Sequence, residues 1–376
     1  MRHVPASPSN GQMIAQLQCH FLMPSTIATD VPRPATFDDR VRTARRVHRG
    51  ALIFNAALTL FWVFVQSTHQ GFGLFTYYPI DVQTLLRIGG GILFFYVIWG
   101  VIWYVVKNLL LKYFVGFSKE ERRQAFSSRM QQPFDVGSLT ARYSERRIRI
   151  TDMIGRRGRF ITLAMAGFFY LYARVQTEQS SNFQMAAADN LFDAVITSWV
   201  FLGFYYANGF FAATFYGPQS RIMDGVLARA NCLLITTLWT AFKFVMVPIG
   251  TRLAAVYPPA QTAAVFALIW GSYIVADALA EVGGSLFGKQ RIRVLGIGDV
   301  NRKSIGGTVS GFVGALVFCL WVVQAQGVPA PWIALAVVIA LSNTVIELFA
   351  PRGTDDFFMA TANALICLAF GTWVLR

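Results

Sequence analysis

The chain has 376 residues, of which 55% are hydrophobic, 15% aromatic and only 14% charged, and its mean hydropathy is positive. This is too apolar for a soluble globular domain and implies an all-α, multi-pass transmembrane helix bundle. The formal net charge of +14 does not point to nucleic acid, because Lys and Arg gather between the apolar runs, where retention of positive loops requires them.

In chain order, residues 1–49 are rich in Pro, Ser, Thr and Gln and end in RVRTARRVHRG, which predicts a flexible basic N-terminal tail ahead of the first span. The apolar patch HFLM is too small for the core of a secretion signal, so no cleavable leader is expected. Apolar runs of roughly 17 to 25 residues, the length that crosses a bilayer, then occur about nine times. They fall near 50–67, 88–111, 160–175, 191–215, 226–249, 262–284, 307–324, 331–349 and 357–375. The stretch 112–159 contains SKEERRQ, YSERRIRI and IGRRGRF, a mixture of basic and apolar residues suited to a helix lying on anionic headgroups. Basic residues mark the N-terminal tail and the loops near 112–159, 217–225, 285–306 and 350–356, whereas 68–86, 176–190 and 325–330 have almost none. Alternation then places the N-terminus in the cytoplasm and the C-terminus outside. Cys19, Cys232, Cys319 and Cys367 show no paired spacing, and the last three lie in apolar runs, so neither a disulfide framework nor a zinc site is implied.

The chemistry concentrates downstream of Asp277. Asp277 and Glu281 are four apart, so a helix presents both carboxylates on one face near a membrane edge. Ionisable groups there are costly and serve either a site or a pairing with another charge; two acids together call for a cation, for which Mg²⁺ carried by a nucleotide is suited. Gly283, Gly284 and Gly288 permit close backbone approach, and Lys289 follows them. GGSLFGKQ nearly fits the phosphate loop of soluble nucleotide hydrolases, but Gln290 stands where Ser or Thr is needed and no strand precedes it, which rejects that fold. Lys303 and Ser304 precede Gly306, Gly307, Thr308 and Gly311 at a helix start, where they either hold phosphate oxygens or serve as a positive anchor and a packing stripe. ELFAPRGTDDF then brings Glu347 and Asp355 to the same side.

DALAEVGGSLFGK, KSIGGTVSGF and ELFAPRGTDDF together resemble the C-terminal core of the polytopic lipid kinases that include dolichol kinase, phytol kinase and CTP-dependent diacylglycerol kinase, relatives of phosphatidate cytidylyltransferase. Asp277, Gly284, Phe287, Gly288, Lys289, Lys303, Ser304, Gly307, Glu347, Gly353 and Asp355 match that family's pattern in order; Ala276, Gly306 and Asp356 depart from it. A basic pair upstream of the Asp is loosely matched by Arg146 and Arg147, while Arg45, Arg46 and His48 match in composition but lie too far away. The resemblance implies transfer of the terminal phosphate of CTP, or else ATP, to a lipid alcohol such as a polyprenol, phytol or diacylglycerol, with Mg²⁺ as cofactor. It implies catalytic roles for Asp277 and Lys303, nucleotide binding by Gly284, Gly288, Lys289, Lys303, Ser304 and Gly307, and a metal shell of Asp277, Glu281 and Asp355. Glu347, Arg146 and Arg147 would support these groups.

Under that reading the chain divides into the tail 1–49, two spans and a basic cytoplasmic loop over 50–159, and a membrane catalytic core over 160–376. The setting expected is a bacterial inner membrane with the active site facing the cytoplasm, and the partners are a lipid and a nucleotide, with no nucleic acid. Two other readings use the same residues. Cytidylyl transfer to a phosphorylated lipid fits less well, because the Ser-Pro before the Lys and the aromatic-Glu after it, which such enzymes tend to show, are missing. A transporter or scaffold would favour repeated halves with midplane charges, whereas here the charges gather at one edge.

Overall fold

Thr36 and Asp39 form a reciprocal cap: the Asp39 amide donates to the Thr36 hydroxyl at 3.2 Å, and the Thr36 amide donates to an Asp39 carboxylate oxygen at 3.0 Å. This satisfies two donors that a helix start otherwise leaves free. From it α1 (Phe37–Ser67) runs through the basic segment and into the first span. The basic run expected at the end of a flexible tail is therefore helical, because the cap lies ahead of it. The computed structural model describes residues 36–70, 82–91, 93–94, 98–127, 136–158, 195–196, 198–206, 210–294, 301–351 and 353–374, so the expected tail over 1–35 and the expected span at 160–175 lie outside the described residues.

The run expected at 88–111 is described as α2 (Val82–Gly91) and α3 (Trp99–Leu110), the latter passing into a wide π turn at Leu111–Val115. Then come α4 (Lys119–Ser127), α5 (Val136–Arg142) and α6 (145–158). The expectation of a helix resting on headgroups fails for α6, which buries Ile148, Thr151, Asp152 and Arg157 inside the protein. Parts of the run expected at 191–215 are described as α7 (198–206) and α8 (Phe210–Tyr216).

A 3-10 turn, Ile222–Leu227, leads into α9 (Ala228–Val256). Ala44 of α1 packs on Leu227 and Ala230, so the basic start of α1 lies at the same end as the head of α9. The chain returns through α10 (Pro259–Phe266), a second π turn at Ala267–Gly271, and α11 (Ser272–Phe287). An antiparallel hairpin follows, β1 (Arg291–Val294) and β2 (Asn301–Ser304), with Ile292 opposite Lys303. It qualifies the all-α expectation: the strands are too short for sequence alternation to reveal them. The Ser304 hydroxyl caps α12 (Ile305–Ala325) by accepting from the Gly307 amide at 3.1 Å. The chain ends in α13 (Pro331–Phe349) and α14 (Asp355–Trp373).

Six helical segments among the described residues are long and apolar enough to cross a bilayer: Phe37–Ser67, Ile222–Val256, Pro259–Phe287, Ile305–Ala325, Pro331–Phe349 and Asp355–Trp373. They match six of the runs read from the sequence. The core joins α9 through α14 and is filled by Phe242, Leu253, Trp270, Tyr273, Trp332 and Met359. Such large buried groups pack tightly where lipid tails cannot reach.

Candidate functional site

The helical spacing of Asp277 and Glu281 puts both carboxylates on one face of α11, and that face meets three arginines. Glu281 accepts from Arg156 at 2.5 Å, from Arg157 Nε, and from Arg221 Nε at 3.2 Å. Arg157 also grips both oxygens of Asp277, one of them at 2.8 Å. Its side chain is 7% exposed, so this is a buried fork on two carboxylates, the geometry in which a guanidinium binds most strongly. Burial alone would lower the pKa of Arg157, but Asp277 and Glu281 outweigh it and the pKa is raised; the same balance, led by Glu281, raises that of Arg221.

A second set of charges adjoins the first. Lys303 at the end of β2 lies 2.8 Å from Glu347 and 3.6 Å from Asp355. Burial works against its charge, yet Glu347 and Asp355 hold its pKa above the ordinary lysine value. Glu347 ends α13 and Asp355 starts α14, joined by a turn in which Gly353 has a φ of +83°, a conformation that glycine adopts without strain. The N-terminal dipole of α14 favours Asp355 and Asp356 in its first turn. Asp277, Glu347 and Asp355 each offer a carboxylate oxygen within 4.8 Å of the others. Such a set of hard oxygens from three helices fits a divalent ion such as Mg²⁺. The fit is strengthened by Glu347 Oε2 and Asp356 Oδ1, both buried and without a hydrogen-bond partner.

The structure thus brings together Asp277, Glu281, Lys303, Glu347 and Asp355 from the residues singled out in the sequence. It separates others from them. Arg147 reaches the Phe114 carbonyl at 3.4 Å and stacks over that ring, and Arg146 is exposed. Lys289 is also exposed. Glu281, expected in a metal shell, is taken up by arginines and is not part of the carboxylate trio. The glycines expected to cradle phosphates form the seam between α11 and α12. A Cβ on Gly307 would lie 2.6 Å from the Ala280 carbonyl oxygen, and one on Gly284 3.0 Å from Ser304 Oγ. A Cβ on Gly288 would meet the Gly284 carbonyl oxygen at 2.2 Å. Close backbone approach, together with the capping role of Ser304, accounts for these residues without a ligand.

Sequence reasoning missed Arg156, Arg157, Arg221 and Asp356. The available signal was RRG in IGRRGRF, four residues after Asp152: an acid on the same helix as an arginine pair, flanked by glycines, suits an inward-facing segment better than a headgroup-facing one.

The fold and site define the protein as a membrane-embedded helical bundle with a cluster of buried, mutually paired charges at one end of its long apolar helices. No protein-family model, curated protein or solved structure matches the chain.

Proposed function

We propose that this chain transfers the terminal phosphate of a nucleoside triphosphate, CTP or alternatively ATP, to a membrane lipid alcohol such as a polyprenol, phytol or diacylglycerol. The observation that carries the reading is the meeting of Asp277, Glu347 and Asp355 beside Lys303 and three arginines at the ends of apolar helices. Phosphoryl transfer asks a protein mainly to position its reactants and to stabilise charge. The cluster has two poles suited to that. On one side Arg156, Arg157 and Arg221 form ion pairs with Asp277 and Glu281. On the other, Glu347 and Asp355 meet Lys303, and Asp356 lies between the two sets, within the field of Arg157 and Arg156. A metal–phosphate unit has the matching pattern, its cation toward the carboxylates and its anionic oxygens toward the arginines.

Asp277, Glu347 and Asp355 would hold Mg²⁺, which when bound neutralises phosphate charge and favours departure of the nucleoside diphosphate. Arg156 and Arg221, with side chains 17% and 30% exposed, are the guanidiniums that an incoming anion can reach, while Arg157 keeps Asp277 and Glu281 aligned. Lys303 limits repulsion between Glu347 and Asp355. The low dielectric of the surrounding helices strengthens each of these contacts. The basic start of α1 lies at the end of the bundle where α9 begins, just after Arg221, which supports a site on the cytoplasmic side of the membrane.

The test is an assay of purified protein in detergent with Mg²⁺, CTP or ATP labelled at the terminal phosphate, and a panel of lipid alcohols. Label should move to one lipid class. Label moving from the α-phosphate of CTP to a phosphorylated lipid would instead make the chain a cytidylyltransferase, and no transfer of either kind would refute the enzymatic reading.

A further inference from the structure

Outside the charged site, Lys107 is a buried cation held among close polar neighbours. It is 1% exposed, on α3, and its ammonium meets three acceptors: Asp152 at 2.8 Å, the Gly217 carbonyl at 3.0 Å and the Ser220 carbonyl at 2.6 Å. Two of its N–H groups donate to the carbonyls, and the Asp152 carboxylate balances its charge as an ion pair. Asp152, 3% exposed on α6, spends its other oxygen on the Ile222 amide at 2.7 Å. The two residues flanking Arg221 are therefore tied, Ser220 through its carbonyl and Ile222 through its amide. Gly155 lets α6 pass over the lysine stem, since a Cβ there would come within 2.8 Å of Lys107 Cδ.

A buried ion pair is a weak source of stability, because desolvation offsets most of the attraction, and an apolar pair of similar volume often serves as well. Here the pair does what an apolar pair cannot: it fixes both backbone neighbours of an arginine whose guanidinium reaches Glu281 at 3.0 Å. The same α6 that carries Asp152 carries Arg156 and Arg157 to Asp277 and Glu281. One knot thus sets the approach of all three arginines to Asp277 and Glu281.

We infer that Lys107 and Asp152 are positioning residues that hold Arg221 in the anion-receiving half of the site. The inference rests on the phosphotransfer reading only for the identity of the anion, a nucleotide phosphate. Lys107→Met alone would strand a buried carboxylate and endanger folding, so the informative variant is the neutral double substitution Lys107→Met/Asp152→Asn. Two measurements apply. Melting temperatures are taken for Arg221→Ala, Glu281→Gln and their combination, in the original chain and in the neutral background. In the original chain the two losses should be non-additive, as for groups in contact; in the neutral background they should add, because Arg221 no longer meets Glu281. In the kinase assay the neutral variant should raise KM for the nucleotide about tenfold with kcat within about twofold, and adding Arg221→Ala should change KM no further.

Persistent non-additivity in the neutral background, or an unchanged KM, would overturn the positioning role. If the original chain transfers no phosphate, the functional reading falls, while the melting cycle still decides whether the knot holds Arg221.

Discussion

Lys303→Met is the perturbation that most directly tests whether the carboxylate trio is a cation site. Lys303 is the cation shared by Glu347 and Asp355, and the three side chains are only 12%, 14% and 16% exposed. With carboxylate oxygens of Asp277, Glu347 and Asp355 within 4.8 Å of one another, each like-charge pair repels by ~3.5 kcal/mol at an effective dielectric of about 20. Removing one partner of a buried pair costs about 3 to 5 kcal/mol, a fall on the order of 10 °C in melting temperature. A divalent ion bound to the folded state alone restores about 2.7 kcal/mol at a hundred times its dissociation constant. The assay is a melting curve in detergent with MgCl₂ against KCl of equal ionic strength. Lys303→Met should melt well below the original chain in KCl and recover a large part of the loss in MgCl₂. If Mg²⁺ leaves the variant where KCl does, the trio does not bind a divalent cation and the mechanism built on it fails.

Asp277→Asn keeps shape but removes the charge shared by the arginine and carboxylate poles, so phosphate transfer should drop on the order of a thousandfold while membrane insertion persists; near-normal turnover would leave Asp277 a purely structural partner of Arg157. Gly283→Val should destabilise the bundle by about 1 to 3 kcal/mol or more, because its Cβ would lie 2.1 Å from Ser310 Oγ. Adding Ser310→Gly should return part of that loss, and no recovery in the melt would show that the seam is not the cause. Glu121 is opposed by burial, but donors from the Ser118 amide, Tyr143 and Arg142 hold its pKa below the ordinary value of 4.5. A lowered carboxylate pKa stabilises above the unfolded value and loses that contribution as pH falls through the folded one. Glu121→Gln should therefore flatten the acid limb of a stability–pH curve below about pH 4.5, and an unchanged limb would refute the assignment.

The six long spans could be read from the sequence because an apolar run of bilayer length has few alternatives to a helix. Lys303, Glu347 and Asp355 could be linked to Asp277 for a related reason: loops that alternate sides bring helix ends back to one edge. The arginines could not be placed. In the sequence, Arg156 and Arg157 sit in a basic stretch that membrane topology already explains, and only the burial of α6 beside Lys107 turns them toward Glu281 and Asp277. The glycines show the opposite difficulty. The same small residues suit a phosphate cradle and a helix seam, and what distinguishes the two is the position of the Ala280 carbonyl and of Ser310, which no local pattern encodes.

The π turn at Ala267–Gly271 has its own bearing on Asp277 and Glu281. Such a turn accommodates one residue more than an α turn, and each residue advances a helix by about 100°. Of the carbonyls in this stretch, that of Leu268 accepts from the Ser272 hydroxyl and that of Ile269 from Asn363 at 3.4 Å, so the widened turn is stitched from within the bundle. Excising a single residue there would leave the rod intact and apolar, yet swing both carboxylates toward a different neighbour. The azimuth of the acids is set about two to four turns upstream, by residues that carry no charge.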